Sequence, residues 1–401
     1  MGSSLMKMVP EKKTALDAAF EAAFGAKAAR YFSAPGRSEI GGNHTDHQRG
    51  KVLAAAVDLE MLAAVRLNGG DMIRLVSDKF SNFEININEL SPVAAEKNTA
   101  AALIRGMAAG FAQRGCRLQG FDIYISSEVL PGSGLSSSAA FEVLLGTALN
   151  ALFFENAMSA QDIAKLGQWT ENNYFGKPCG LMDQMACAVG GLVAMDFYGE
   201  EPEISPLRVD FSAFGHALCI IDSGASHAQL NDEYAAIPGE LRQVAAEFGE
   251  QVLSRVGEDA FYANIAALRK SCGDRAVLRA IHFFEENRRV CAQVAALEGG
   301  DFARFLELVK ASGRSSWMYL QNISPAGATA HQPMALALAL CERYLAGRGA
   351  SRVHGGGFAG TVQAFVPIDI LDEFKAGIDG VLGSGACRVM SIRGYAGVEI
   401  N

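Results

Sequence analysis

The eight cysteines, at positions 116, 179, 187, 219, 272, 291, 341 and 387, include no C-x-x-C pair and no zinc-type spacing. That excludes a zinc module and a disulfide framework. Several lie in apolar runs, as reduced, buried thiols of a cytosolic protein do. No apolar run is long enough for a signal sequence or a membrane span, so a cytoplasmic location without membrane association is expected. A basic block is also missing: 35 Lys and Arg face 44 Asp and Glu, for a net charge of −9. Such a chain is a poor nucleic-acid binder. The 43 glycines form no repeat, so they mark turns and close approaches. What is present is an ordinary globular composition of 401 residues, 50% hydrophobic and 20% charged, with length enough for two domains.

Periodicity predicts helices over 8–24, 100–114, 161–174, 230–247, 258–268, 276–297, 301–311, 334–345 and 368–378. Strands are predicted over 52–57, 61–67, 73–76, 83–87, 192–195, 217–222, 362–366 and 388–392, with an extended segment from Arg30 into Arg37. The polar, proline-bearing stretch 198–206 reads as a boundary, dividing the chain into 1–204 and 205–401. The mixture points to two α+β halves with a cleft between them.

The most informative stretch is Pro131-Gly-Ser-Gly-Leu-Ser-Ser-Ser-Ala-Ala140. A β-type run (Phe121, Ile123, Ile125, Val129) precedes it and a helical pattern (Phe141, Leu144, Leu145, Ala148) comes after it. A loop at that junction aims backbone N–H groups and the positive end of the helix dipole at one point. Gly132 and Gly134 let the backbone approach a bulky anion, and Ser136, Ser137 and Ser138 add hydroxyls. The implied ligand is a triphosphate. The loop lacks the lysine of a Walker A motif, and Ser137 stands where a dinucleotide fingerprint has its third glycine. A serine-rich helix cap fits the same residues.

Three further clusters carry polar groups. Ala34 to His47 (A-P-G-R-S-E-I-G-G-N-H-T-D-H) sets donors and acceptors on a glycine-punctuated segment, suited to a hydroxyl-rich ligand. His44, Asp46 and His47 are ligand types for a metal, but no third ligand is evident from their spacing; a plain polar turn is the other reading. Gly176 to Met185 places Asp183 among apolar neighbours, where an unpaired carboxylate is costly. It needs a partner such as Arg37, which would keep it ionised and oriented; a helix-capping aspartate is the alternative. In His354-Gly-Gly-Gly-Phe-Ala-Gly360 the glycines match G-x-G-x-x-G, but a strand comes next, so a tight loop at the cleft is expected.

Taken in order, the G-R…G-x-H-T-D segment, the G-L-S-S-S-A loop, C-G-x-M-D-Q and G-G-G-F-x-G resemble the GHMP kinase superfamily and, within it, the galactokinases, over roughly residues 28–400. The resemblance implies a two-domain α+β GHMP kinase fold: a ribosomal-protein-like N-terminal domain and a ferredoxin-like C-terminal domain, with the active site between them and the last strand returning to the first. It implies transfer of the ATP γ-phosphoryl group to the anomeric hydroxyl of a sugar. By that resemblance Gly132, Ser133, Gly134, Leu135, Ser136, Ser137 and Ser138 would wrap the ATP phosphates, and Ser138 and Glu171 would ligate Mg2+. Asp183 would be the base and Arg37 its partner. Asn43, His44, Asp46, Gly180 and Tyr234 would contact the sugar. ATP and a small sugar are the expected partners, without nucleic acid, membrane or obligate protein partner.

Two positions depart from the galactokinase pattern G-E-H-T-D-Y: Asn43 replaces the glutamate and His47 the tyrosine. The glutamate reaches the sugar near carbon six, so galactose is the first expectation and a C6-modified or related sugar (galacturonate, N-acetylgalactosamine, a heptose) the second. Asn43→Glu is expected to shift preference toward neutral galactose. A non-catalytic sugar sensor is the alternative from another class, but the serine loop, Glu171, Asp183 and Arg37 are all intact.

Overall fold

The computed structural model describes residues 8–79, 81–129, 134–177, 179–225 and 230–401. Its strands are β1 (Arg30–Gly41), β2 (Lys51–Leu67), β3 (Met72–Ser77), β4 (Phe83–Asn86), β5 (Phe121–Ser127), β6 (Leu192–Asp196), β7 (Glu203–Leu207), β8 (His216–Asp222), β9 (Ala350–Val353), β10 (Thr361–Pro367), β11 (Cys387–Met390) and β12 (Val398–Ile400). The first sheet runs β12-β1-β2-β5-β3-β4, with β6 also on β2 and β7 on β6. All its pairs are antiparallel except β3 with β5. That parallel pair needs a crossover, and the connection carries β4 and a helix. The second sheet runs β11-β8-β10-β9 and is antiparallel throughout.

The helices are α1 (Pro10–Phe24), α2 (Ala100–Gln113), α3 (Ser137–Phe153), α4 (Ala160–Thr170), α5 (Met182–Val189), α6 (Asn231–Ala246), α7 (Glu258–Ala263), α8 (Ile265–Ser271), α9 (Asp274–Glu298), α10 (Phe302–Ser315), α11 (Pro333–Leu345) and α12 (Leu371–Leu382). Helix α3 is buried from Ala139 to Asn150 beneath the first sheet, packed with α2, α4 and α5. In the second sheet, alternation sends Leu218 and Ile220 toward Phe302 and Phe305 of α10, and Cys219 and Ile221 toward α11 and α12.

Three expectations change. The apolar stretches 52–57 and 61–67 form one strand, β2, whose first part pairs with β6 and last part with β5; the polar residues between them mark that change of neighbour. The boundary at 204/205 falls inside β7, whose residues pair with β6, so the chain leaves the first sheet only after Leu207. The helix expected over 258–268 is broken at Asn264 into α7 and α8.

Candidate active site

Strand β1 carries two register shifts against β2, between Pro35 and Arg37 and between Glu39 and Gly41. Bulges of this kind re-aim side chains. Arg37 lies just past the first shift. Its Nε donates to Asp183 Oδ1 at 2.7 Å and its Nη1 to the Gly134 carbonyl at 2.6 Å. The other oxygen of Asp183 accepts from the Ser136 hydroxyl. Burial pushes the Asp183 carboxyl up, but the Arg37 charge and its hydrogen bond, together with Ser136, outweigh it and hold the pKa below the ordinary value. Asp183 therefore stands ionised at neutral pH, in the first turn of α5, where the helix dipole also favours negative charge. Ser136 adopts φ +56°, a left-handed conformation that costs a residue with a Cβ about 1–2 kcal/mol. In return its hydroxyl meets Asp183, and α3 starts without a side-chain cap on its free N–H groups. Gly134, also left-handed, passes so near the second sheet that a Cβ there would lie 2.2 Å from Thr361 Oγ1. Gly132 and Ser133 lie outside the described residues.

Next to this group, Asp46 and Gly180 touch: a Cβ on Gly180 would fall 1.7 Å from Asp46 Oδ2. Burial, then the nearby charge of Asp183, raises the Asp46 pKa to about 7. His44 Nε2 donates to the Gly356 carbonyl at 2.9 Å, which assigns Nδ1 as acceptor from His47 Nε2 at 3.3 Å. Burial lowers His44 to about 4, so the ring is neutral at physiological pH. The Tyr234 hydroxyl donates to the Gly357 carbonyl at 2.9 Å, and its ring lies against Gly356. Gly355, Gly357 and Gly360 all have positive φ, and the loop's carbonyls receive donors from the sugar-type segment.

The structure gives Asn43 a different task from sugar contact. It is fully buried. Its Nδ2 donates to Glu39 Oε1 at 3.0 Å and to the Gly355 carbonyl at 2.7 Å; its Oδ1 accepts from Ser316 at 3.1 Å and Asn322 at 2.9 Å. Two donors and two lone pairs are all an amide side chain has. Asn43 thus has nothing left for a ligand and ties the segment to the glycine loop and to the end of α10. Around it, Arg352 of β9 bonds the Glu39 carboxylate and, at 3.0 Å, the Ile40 carbonyl. Glu286 of α9 receives the Gly42 N–H at 3.1 Å, Ser312 at 2.6 Å and the Arg289 guanidinium. Burial opposes its charge, yet Arg289 and its other neighbours bring its pKa to about 2.

A second buried cluster lies at the end of α4, where the helix widens into a π-turn over Glu171–Phe175, closed by Gly176 N–H to the Glu171 carbonyl at 2.9 Å. Gln184 Nε2 bridges two carboxylates, Glu171 Oε2 and Glu142 Oε2, each at 3.0 Å. The remaining oxygens, Oε1 of Glu142, Glu171 and Gln184, are buried without a hydrogen-bond partner among the described residues. Lys177 Nζ forms an ion pair with this cluster, 3.8 Å from Glu171 Oε1. Ser138 sits in the first turn of α3. Among the described residues no three of His, Cys, Asp and Glu converge as a ligand set. Hydroxyl and carboxylate oxygens in this number suit Mg2+, which takes one or two carboxylates and completes its shell with phosphates and water. Glu142 escaped the sequence reading; its signal was a carboxylate inside the apolar run Ala139–Leu145.

Residues 99–191 match the GHMP kinases N terminal domain, and residues 18–67 match the galactokinase galactose-binding signature. The chain is 29% identical over 364 residues to a galactokinase of Actinobacillus pleuropneumoniae serotype 3 (strain JL03), covering 89% of this chain and 90% of the relative. Among solved structures it is similar to Lactococcus lactis galactokinase complexed with galactose, with TM-score 0.82, 25% identity, and coverage of 96% of this chain and 99% of that one. Streptococcus pneumoniae phosphomevalonate kinase shares the fold at TM-score 0.63 and 16% identity, covering 90% of this chain and 98% of that one. The chain carries a GHMP kinase N-terminal domain and a galactokinase signature, and it is galactokinase-like along nearly its whole length.

Proposed function

We propose that this galactokinase-like chain is an ATP-dependent sugar 1-kinase that converts galactose to galactose 1-phosphate. The observation that carries the proposal is the Arg37–Asp183–Ser136 group beside Asp46 and Gly180. Asp183, held ionised, accepts the hydrogen of the anomeric hydroxyl and orients that oxygen toward the γ-phosphorus. Its low pKa makes it a weak base. That suffices for phosphoryl transfer, which depends mostly on positioning and charge stabilisation. Arg37 keeps Asp183 aimed and places positive charge beside the transferring group. Asp46 is the group left to receive a sugar hydroxyl, and His44 would receive one only by exchanging the His47 N–H at its Nδ1, with Gly180 leaving the room and Tyr234 closing the far side through the glycine loop. A hydroxyl donor set between Asp46 and Asp183 would also relieve their mutual repulsion.

ATP would lie on the open start of α3, over the backbone of Gly134 to Ser138. Ser138 and Glu171 are the protein groups that would hold Mg2+. Held there, the cation would supply positive charge against the charge that develops on the phosphates. The reaction draws on cytoplasmic ATP, which makes the cytoplasm the proposed location. Among the described residues no helix is long and apolar enough to cross a membrane.

An ATP-consumption assay with galactose, galacturonate, N-acetylgalactosamine, glucose and a heptose tests the proposal. Galactose is expected to give by far the highest kcat/KM, and a different preferred sugar would overturn the substrate assignment. Asp183→Asn should lower kcat by about 10²–10⁴-fold while ATP still binds; retained turnover would remove Asp183 from the mechanism.

A further inference from the structure

We infer that Glu142 is a second carboxylate for the nucleotide-bound cation, sharing it with Glu171. The inference deepens the kinase reading and rests on it. Glu142 is fully buried and Glu171 is 2% exposed, and one nitrogen, Gln184 Nε2, lies 3.0 Å from an oxygen of each. The N–H groups of that amide serve the pair, with the Cys179 sulfur also within reach at 3.8 Å. Each carboxylate keeps one buried oxygen without a hydrogen-bond donor among the described residues, and so does Gln184 itself. Buried oxygens are normally satisfied. Three unsatisfied ones around a single amide are what a hard, oxygen-seeking cation would match.

Among the described residues, protein cations neutralise the pair only in part. Arg37 is committed to Asp183 and the Gly134 carbonyl. The Lys177 side chain is 60% exposed and reaches only to 3.8 Å from Glu171 Oε1. Position along the helix supports the same assignment. Ser138 and Glu142 are four residues apart on α3, hence on one face, with Ser138 one turn nearer the phosphate-facing end. Gly167 makes the approach possible: a Cβ there would lie 2.9 Å from Glu142 Oε2 and 3.1 Å from Gln184 Cγ. The plainer alternative is that Glu142 only props Gln184. In that case an amide at 142 would accept the same hydrogen bond and the cation would be indifferent to the change.

The full chain, bound to a non-hydrolysable ATP analogue, is titrated with Mn2+ and free Mn2+ is read by electron paramagnetic resonance. Glu142→Gln is expected to weaken Mn2+ binding by about 10–100-fold, with the analogue's metal-free affinity unchanged. Glu142→Asp keeps the charge but withdraws it by one methylene, and should give a smaller loss. It also serves if the amide variant does not fold. Wild-type Mn2+ affinity in both variants would overturn the inference. An equal loss of metal-free analogue affinity would do so too, since it would make Glu142 a support of the phosphate loop. Absence of sugar-dependent ATP turnover in the wild type would defeat the kinase reading instead, while the Mn2+ titration still decided the role of Glu142.

Discussion

Two buried amides, Asn43 and Gln184, are used in opposite ways. Around Asn43, each donor and acceptor of the amide meets a partner, and Arg352 spends its guanidinium on the Glu39 carboxylate and two backbone carbonyls. Around Gln184, three oxygens have no hydrogen bond among the described residues. Leaving a buried polar atom unmatched costs about 1–3 kcal/mol, so the second cluster persists at the expense of stability. The contrast separates two jobs that residue type alone does not. The saturated Asn43 amide locks the first sheet against the second, although Oδ1 of its partner Asn322 has no hydrogen bond among the described residues. The unsaturated cluster around Gln184 is preorganised for something that arrives later.

The comparison breaks most visibly at Arg352. Arg352→Met strands the Glu39 carboxylate in the interior and should cost about 3–5 kcal/mol, read as a lower denaturant midpoint. Adding Glu39→Leu should recover part of that loss; a double variant no more stable than the single would show that the pair matters through something other than its charge. At Asn43, a glutamate would turn two donated hydrogen bonds into a carboxylate facing Glu39 and the Gly355 carbonyl. The expected result is a loss of about 1–3 kcal/mol without a new sugar contact, which replaces the expectation that Asn43→Glu tunes sugar preference. An unchanged melting temperature with altered selectivity would return position 43 to the sugar site.

Glu142→Gln should behave in the opposite sense. It removes a buried carboxyl whose ionisation burial and Glu171 already disfavour, so stability without ligands should hold or rise by about 1 kcal/mol as metal binding falls. A marked drop in melting temperature would place Glu142 with the saturated cluster. The last expectation is a pH dependence at Asp46. Its pKa is about 7 in the folded chain against an ordinary 3.8, so between those values the folded state holds a proton that the unfolded state has released. Stability from this group falls as pH rises through that window and is level above it. The melting temperature of Asp46→Asn relative to wild type should therefore climb from about pH 4 to pH 7 and then flatten. Parallel curves would mean that Asp46 titrates as an ordinary aspartate.

Much of the Arg37–Asp183 site was legible because its residues sit in short local motifs with glycines at the tight points. Asp183 in an apolar stretch announced its need for a partner, and Arg37 supplies it. The saturation of Asn43 was not legible, since its partners come from positions around 316, 322 and 355. Nor was the Glu39–Arg352 pair, 313 residues apart in sequence, because nothing local marks which arginine will reach a given carboxylate. The boundary near residue 204 misled for a different reason. Pro206 reads as a breaker, yet it lies on β7, which pairs on one side only with β6, and an edge strand tolerates proline.

Helices α4 and α10 each end in a π-turn, Glu171–Phe175 and Ser316–Leu320, closed by the bonds Gly176 N–H to Glu171 and Gln321 N–H to Ser316 at 2.9 and 2.8 Å. One turn begins at the carboxylate of the open cluster and the other at the hydroxyl that caps Asn43. Each such turn holds one residue more than an α-helical turn does. For the lineage of this chain, the hazard at these places is therefore a lost codon more than a changed one. Deleting a single residue within either turn would let the helix run on regularly and rotate the downstream chain by about 100°. Past 175 that rotation would carry Lys177, Gly180 and Asp183 out of register with Arg37, with every substitution-sensitive side chain still present.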